Sequence, residues 1–186
     1  EIQAVAYLLS GRAKEAEKIC LALIDENQGN VQALATLAAV YTEQGKHEES
    51  KAVAFRLCGL KNLTPEEQYK VATVCCENDL HEQALQQFLA LEKEIPYDGN
   101  MLYFKGVAAY KSGKTELAIS ALETLCTIYP DAAVAEYYLK AIRRRRENPE
   151  TEPEPEMTYF YKIPQAERAK RCRALLKIGK YPRAEA

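Results

Sequence analysis

Apolar and small side chains recur at three- and four-residue spacing along most of the chain, as in Leu34, Leu37, Ala38 and Tyr41, followed by Ala54 and Leu57. Residues three and four apart share one face of a helix, so the spacing predicts short amphipathic helices. The same pattern returns at longer range. Displacing the sequence by 34 residues superimposes Gly11, Gly45, Asp79 and Gly113, then Ala16, Ser50, Ala84 and Ala118, then Leu23, Leu57, Leu91 and Leu125. Each unit reads as a helical hairpin. Gly11, Gly45 and Gly113 fall between its two helices, where a left-handed helix-ending residue is needed and a missing Cβ removes the steric cost; Asn78-Asp79 is the most tolerant substitute.

Paired helices approach closely only where small side chains face each other, and Ala4, Ala38, Ala72 and Gly106 on first helices are placed to meet Ala16, Ser50, Ala84 and Ala118 on second ones. Pro96 and Pro130 end second helices, because proline cannot donate to the helical ladder and disfavours helix in the residue before it. The expected fold is all-α. Its units are a truncated first repeat over 1–30, full repeats over 31–64, 65–98 and 99–132, and a capping helix over 133–147. An acidic, proline-rich stretch over 148–158 reads as an extended linker, too polar to pack. Residues 159–186 read as an aromatic and basic helical segment, and Gly179, Tyr181 and Ala184 reproduce the spacing of a repeat turn, so this end also reads as a degenerate partial repeat. A chain that starts at Glu1 inside a helix reads as a piece of a longer protein.

These residues resemble the tetratricopeptide repeat family, whose 34-residue helix–turn–helix signature has a Leu-Gly pair, a Tyr, an Ala, a Phe and a terminal Pro. Tyr7 and Tyr41 take the Tyr place, Gly106 the Gly place, Ala84 and Phe88 the Ala and Phe places, and Pro96 and Pro130 the Pro place. The tryptophan of the signature is absent. The resemblance covers about residues 1 to 147 and implies a right-handed superhelical solenoid of antiparallel hairpins. It further implies a concave groove, lined by first helices, that holds a peptide or helix of another protein.

Composition narrows the remaining classes. No apolar run approaches the roughly 18 residues of a membrane-spanning helix, and no membrane partner is expected. Cys20, Cys58, Cys75, Cys76, Cys126 and Cys172 include no Cys-x-x-Cys knuckle; Cys20, Cys58, Cys75 and Cys126 fall at core positions and read as reduced thiols, which favours the cytoplasm. His47 and His81 stand one repeat apart without a recurring carboxylate or thiolate beside them, so no metal is assigned, and no cofactor is expected. No acid, base and nucleophile share a supporting spacing, so the expectation is a protein that is not an enzyme. From Met157 onward eight Lys/Arg face Glu167 and Glu185, a net +6 that leaves −8 for the preceding chain out of a total of −2. The basic run Arg143–Arg146 sits at a helix C-terminus and is followed by glutamates, so nucleic acid is not the expected partner.

The candidate site is the groove. The fifth residue of successive first helices gives Tyr69, Tyr103 and Tyr137, and neighbouring positions add Thr73, Val107, Tyr110, Lys111 and Arg144. Tyrosine combines a rigid apolar face with a hydroxyl, which suits binding at small entropic cost; the plainer reading is padding between neighbouring helices. Chaperone-tail clamps of the family carry Lys and Asn where this chain has Ala35, Tyr69 and Tyr103, and Ala39, Thr73 and Val107. The expected ligand is therefore an apolar or aromatic protein segment, with the chain's own residues 159–178, in cis or in trans, as one occupant. The other reading is a docking or regulatory arm of a larger enzyme or signalling protein.

Overall fold

The structure is a computed structural model that describes residues 2–96, 98–153 and 155–157; the expectations for Glu1 and for residues 159–186 lie outside the described residues. Among those described, every regular element is an α-helix: α1 (Ile2–Leu9), α2 (Ala13–Glu26), α3 (Val31–Glu43), α4 (His47–Cys58), α5 (Pro65–Glu77), α6 (His81–Leu91), α7 (Gly99–Lys111), α8 (Thr115–Ile128) and α9 (Ala133–Glu147). They fall into two compact units, one ending at Gln87 and the other beginning at Phe88.

One turn joins the helices of every hairpin. Gly11, Gly45 and Gly113 have φ of 75°, 73° and 74°, and Asp79 has 57° in the corresponding place. The residue after each donates its N–H five residues back: Arg12 to Tyr7, Lys46 to Tyr41, Leu80 to Cys75 and Lys114 to Ala109, at 2.8–2.9 Å. This left-handed cap satisfies carbonyls that the helix end would otherwise leave unpaired. Helix starts are fixed as locally. Asn30 accepts from the Ala33 N–H, Asp98 from the Met101 N–H, and Thr64 with Glu67 forms a reciprocal capping box ahead of Pro65.

In the first unit the small residues at the expected crossings are removed from solvent. Ala4, Ala16, Ala38, Ser50, Ala72 and Ala84 are all buried, as is Leu57. The Ser50 hydroxyl donates to the Ala38 carbonyl at 2.8 Å and lies 3.0 Å from the Thr42 hydroxyl, so the polar atom at this crossing is satisfied. Adjacent hairpins are also tied at their rims, by Gln44 to Glu17 at 2.7 Å and Arg56 to the Gln28 carbonyl at 2.7 Å. Cys58 and Cys75 lie side by side where α4 and α5 pack, with Cα atoms 7.5 Å apart, wider than a disulfide spans. Their separation of 17 residues carries no knuckle signature, but it puts one sulfur at the end of α4 and the other on α5, and packing of these helices brings them together.

In the second unit α7 is buried around its circumference, from Met101 through Ala109, Lys105 included. The Lys105 ammonium is neutralised by Glu92 at 2.5 Å, the arrangement that a buried cation requires. Gly106 packs under Leu122: a Cβ at Gly106 would lie 3.1 Å from its Cδ2, closer than ordinary contact. Phe88 stacks on Phe104 with ring centroids 6.3 Å apart. Helix α9 packs on α8 and pairs two of its arginines with that helix, Arg143 with Glu123 and Arg146 with Glu116. These partners differ from the linker glutamates that the sequence suggested.

The linker is corrected as well. Residues after Asn148 turn back, with the Thr151 and Glu152 N–H groups both donating to the Asn148 carbonyl. Arg145 then donates to the Glu152 carbonyl at 2.8 Å and the Tyr138 hydroxyl to the Glu156 carbonyl at 3.2 Å. Met157 is 2% exposed. The stretch is extended without being detached, because α9 supplies donors for main-chain carbonyls, and those bonds do not depend on apolar side chains in the strap.

Candidate functional site

The eight expected site residues divide between the two units. Tyr69 and Thr73 lie on α5 in the first unit, both half-buried, and the Thr73 hydroxyl bonds back to the Tyr69 carbonyl at 2.9 Å. That local bond uses the hydroxyl's donor and leaves the Tyr69 ring as the larger contact surface.

The remaining six lie in the second unit, at different depths. Tyr103 is 2% exposed and Val107 fully buried, so neither side chain forms an open surface. This corrects their expected place in the lining: α7 is apolar on nearly every side, and packing buries the positions that the repeat register would turn outward. Tyr103 sits between Phe104 and Tyr138, with ring centroids 5.9 and 6.4 Å away. Tyr110 is half-buried and Lys111 exposed at the C-terminal end of the same helix. Tyr137 is different. Its ring meets the edge of Tyr138 at 5.4 Å and remains 68% exposed, a large aromatic surface with no core role of its own.

Tyr137 and Arg144 are brought together in one cleft of about 480 Å³ between α9 and the strap, lined also by Lys140, Ala141, Glu152, Pro153, Pro155 and Glu156. One turn of helix separates Tyr137 from Ala141, and the next reaches Arg144, so the three share a face of α9. The cleft places an aromatic ring beside two cations on the helix side and carboxylates with proline rings on the other. Beneath it, Tyr138 stacks towards Tyr103 and holds the strap through its hydroxyl. Sequence reasoning missed Tyr138, Lys140 and the four strap residues. The signal was the alternation of Pro and Glu in 149–156, which is compatible with packing on polar donors as well as with solvation.

Groups with shifted titration lie elsewhere. Burial raises the Cys20 thiol to about 11, and burial, with a smaller push from Glu136, raises Cys126. Tyr41 is raised by burial and then by Glu17. These are core effects that hold a group neutral, and none draws together an acid and a base. Among the described residues no three His, Cys, Asp or Glu side chains cluster as metal ligands, and no helix is long and apolar enough to cross a membrane.

Residues 99–132, which hold α7, its turn and α8, match the Tetratricopeptide repeat family. The TPR repeat-containing protein YvcD of Bacillus subtilis (strain 168) is 23% identical over 128 residues, 68% of this chain. Residues 99–132 thus form a tetratricopeptide repeat. The chain spans 26% of that relative's length. Among solved structures, the 41-end fragment of MamA from Desulfovibrio magneticus RS-1 superposes with a TM-score of 0.62 at 16% identity, covering 96% of this chain and 93% of that one. A tetratricopeptide repeat protein from Parabacteroides merdae ATCC 43184 gives 0.59 at 18% identity, covering 96% and 75%. At these identities the likeness establishes the fold.

Proposed function

We propose that this chain is a non-catalytic interaction module whose second unit holds an apolar or aromatic protein segment on the Tyr137 face of α9. The carrying observation is Tyr137 itself: an aromatic ring 68% exposed, seated on a second tyrosine and sharing its cleft with Arg144. An exposed ring on a rigid helix gains contact area at little entropic cost, and tyrosine and arginine are the residue types that dominate binding energies at interfaces. Tyr103 and Val107 support that face from below, and Tyr110 and Lys111 extend it along α7. Tyr69 and Thr73 offer a second, smaller contact on the first unit.

The occupant that fits best is the chain's own segment 159–178. Its aromatic start and net basic character complement the acidic repeats, and the chain enters it at Met157, which is buried against the second unit and not solvated. A second reading, a docking arm whose chemistry lies elsewhere in a larger protein, is favoured by the chain matching only 26% of its relative's length.

Tyr137→Ala tests the face. Capture of a binding partner, measured by pull-down with mass-spectrometric identification, should fall about tenfold or more, as expected for loss of an interface anchor, while the melting temperature stays put. Unchanged capture by a folded variant would remove the α9 face from the proposal. Deleting residues 158–186 separately tests the occupant: a docked tail predicts a lower melting temperature and faster proteolysis of the repeats.

A further inference from the structure

We infer that the Glu92–Lys105 ion pair is a register lock: it fixes which second helix the hairpin α7–α8 accepts as its neighbour, and so keeps one copy of the chain from stacking its repeats on those of another. The inference does not rest on the binding face of α9.

Glu92 directly follows α6, Lys105 lies in the middle of α7, and both belong to the second unit. Their counterparts at the 34-residue spacing are uncharged. Ile24, Cys58 and Cys126 stand in the place of Glu92, and Leu37, Val71 and Leu139 in that of Lys105. Those three counterparts of Lys105 are buried, as the lysine is at 4% exposure. Charge therefore occupies a place that the repeat otherwise fills with hydrocarbon, on both sides of this junction and on neither side of the other three.

The pair is held from its own backbone and from the rings beside it. The Glu92 N–H donates to the Phe88 carbonyl at 2.9 Å, and Phe88, fully buried, stacks on Phe104, the residue before Lys105. This sets the Glu92 Oε1 against the Lys105 Nζ at 2.5 Å. The two charges are unequally placed: the Lys105 side chain is 6% exposed and that of Glu92 35%. Without its partner the ammonium is left buried, whereas the carboxylate still reaches water.

Selectivity follows from that inequality. In the same register against α2, α4 or α8, of this copy or a second one, Lys105 would meet Ile24, Cys58 or Cys126 and be buried unpaired, which costs far more than an apolar mismatch. Apolar pairs make no such distinction, since one aliphatic contact replaces another at small cost. A buried polar group that permits one pairing and penalises the rest is a means by which helical assemblies fix register.

The experiment compares the full 186-residue chain with Glu92→Ile, Lys105→Leu and the double variant, which gives this junction the residue types of Ile24 and Leu37. In urea unfolding, Glu92→Ile should shift the equilibrium towards the unfolded chain by about 100-fold or more, and Lys105→Leu by less than about tenfold, because only the first strands a buried charge. The double variant should equal or exceed the parent in stability. It should also lose its single arrangement. Refolded from urea as a mixture of tagged and untagged copies, it should co-purify and give several masses in light scattering, whereas parent copies treated alike should not exchange. Should Glu92→Ile alone fail to fold, recovery of helical circular dichroism in the double variant supports the lock, and no recovery overturns it. A double variant less stable than the parent, equal costs for the two single variants, or the same co-purification in double variant and parent would each overturn the proposal.

Discussion

The hairpin α3–α4 in the first unit and the hairpin α7–α8 in the second close the same crossing with different chemistry. In the first, Ala38 faces Ser50 with Ala54 beside them, and the Ser50 hydroxyl bonds to the Ala38 carbonyl and to Thr42. Two repeats later, Gly106 faces Ala118, and Leu122 occupies the place of Ala54, its side chain over the missing Cβ. Small plus small leaves room that a hydrogen bond secures; none plus large fills the room with hydrocarbon. The register is the same because the repeat fixes which positions meet, while the sum of the volumes is what must be kept. The second solution also lets α7 sit deep enough to be buried on every side, with aromatic rings stacked outward from it towards Tyr137.

The largest test of that difference is Leu122→Ala. With no Cβ on Gly106 to relax into the void, the loss should lie near the upper end of the usual range, about 3–5 kcal/mol in urea unfolding. Adding Gly106→Ala to that variant should recover stability through helix propensity, about 1 kcal/mol, and the same change alone should recover less because its Cβ meets Leu122. A cost below about 1 kcal/mol for Leu122→Ala would show that the leucine does not fill the crossing.

Ser50→Ala comes next, at about 1–3 kcal/mol, since it leaves Thr42 with one partner fewer and removes the donor to Ala38 in a dry contact. Stability within about 0.5 kcal/mol of the parent would mean that the first hairpin is held by packing alone, and the contrast with the second would dissolve. The smallest effect sharpens the comparison by equality. Thr64→Ala and Asp98→Ala each remove a helix cap, one in each unit, and each should cost about 1 kcal/mol; circular dichroism on both variants checks whether the units differ only where the helices cross.

Much of this was legible in residue spacing. The 34-residue recurrence, the left-handed turns at Gly11, Gly45, Asp79 and Gly113, and the small residues at each crossing depend on interactions within a few residues or on one neighbouring helix, and such patterns are written directly into the order of side chains. The candidate site was legible in part. Tyr69, Tyr103 and Tyr137 occupy one place in the repeat, yet Tyr103 is buried and Tyr137 exposed, because depth depends on what lies on both sides of a helix and a single repeat cannot encode it. The strap was misread for a related reason: its polarity excludes an apolar contact but says nothing of a tyrosine hydroxyl and a guanidinium waiting on α9 for its carbonyls.

What the sequence determined by itself is therefore the scaffold, through local and nearest-neighbour terms that repeat. Tertiary structure alone decided which aromatic ring stays open, how the acidic strap is held and which of the described cysteines lie near each other, because each requires bringing together groups from different helices. Cys58 and Cys75 show the reason most plainly: neither belongs to a motif, and only the packing of α5 on α4 makes them neighbours.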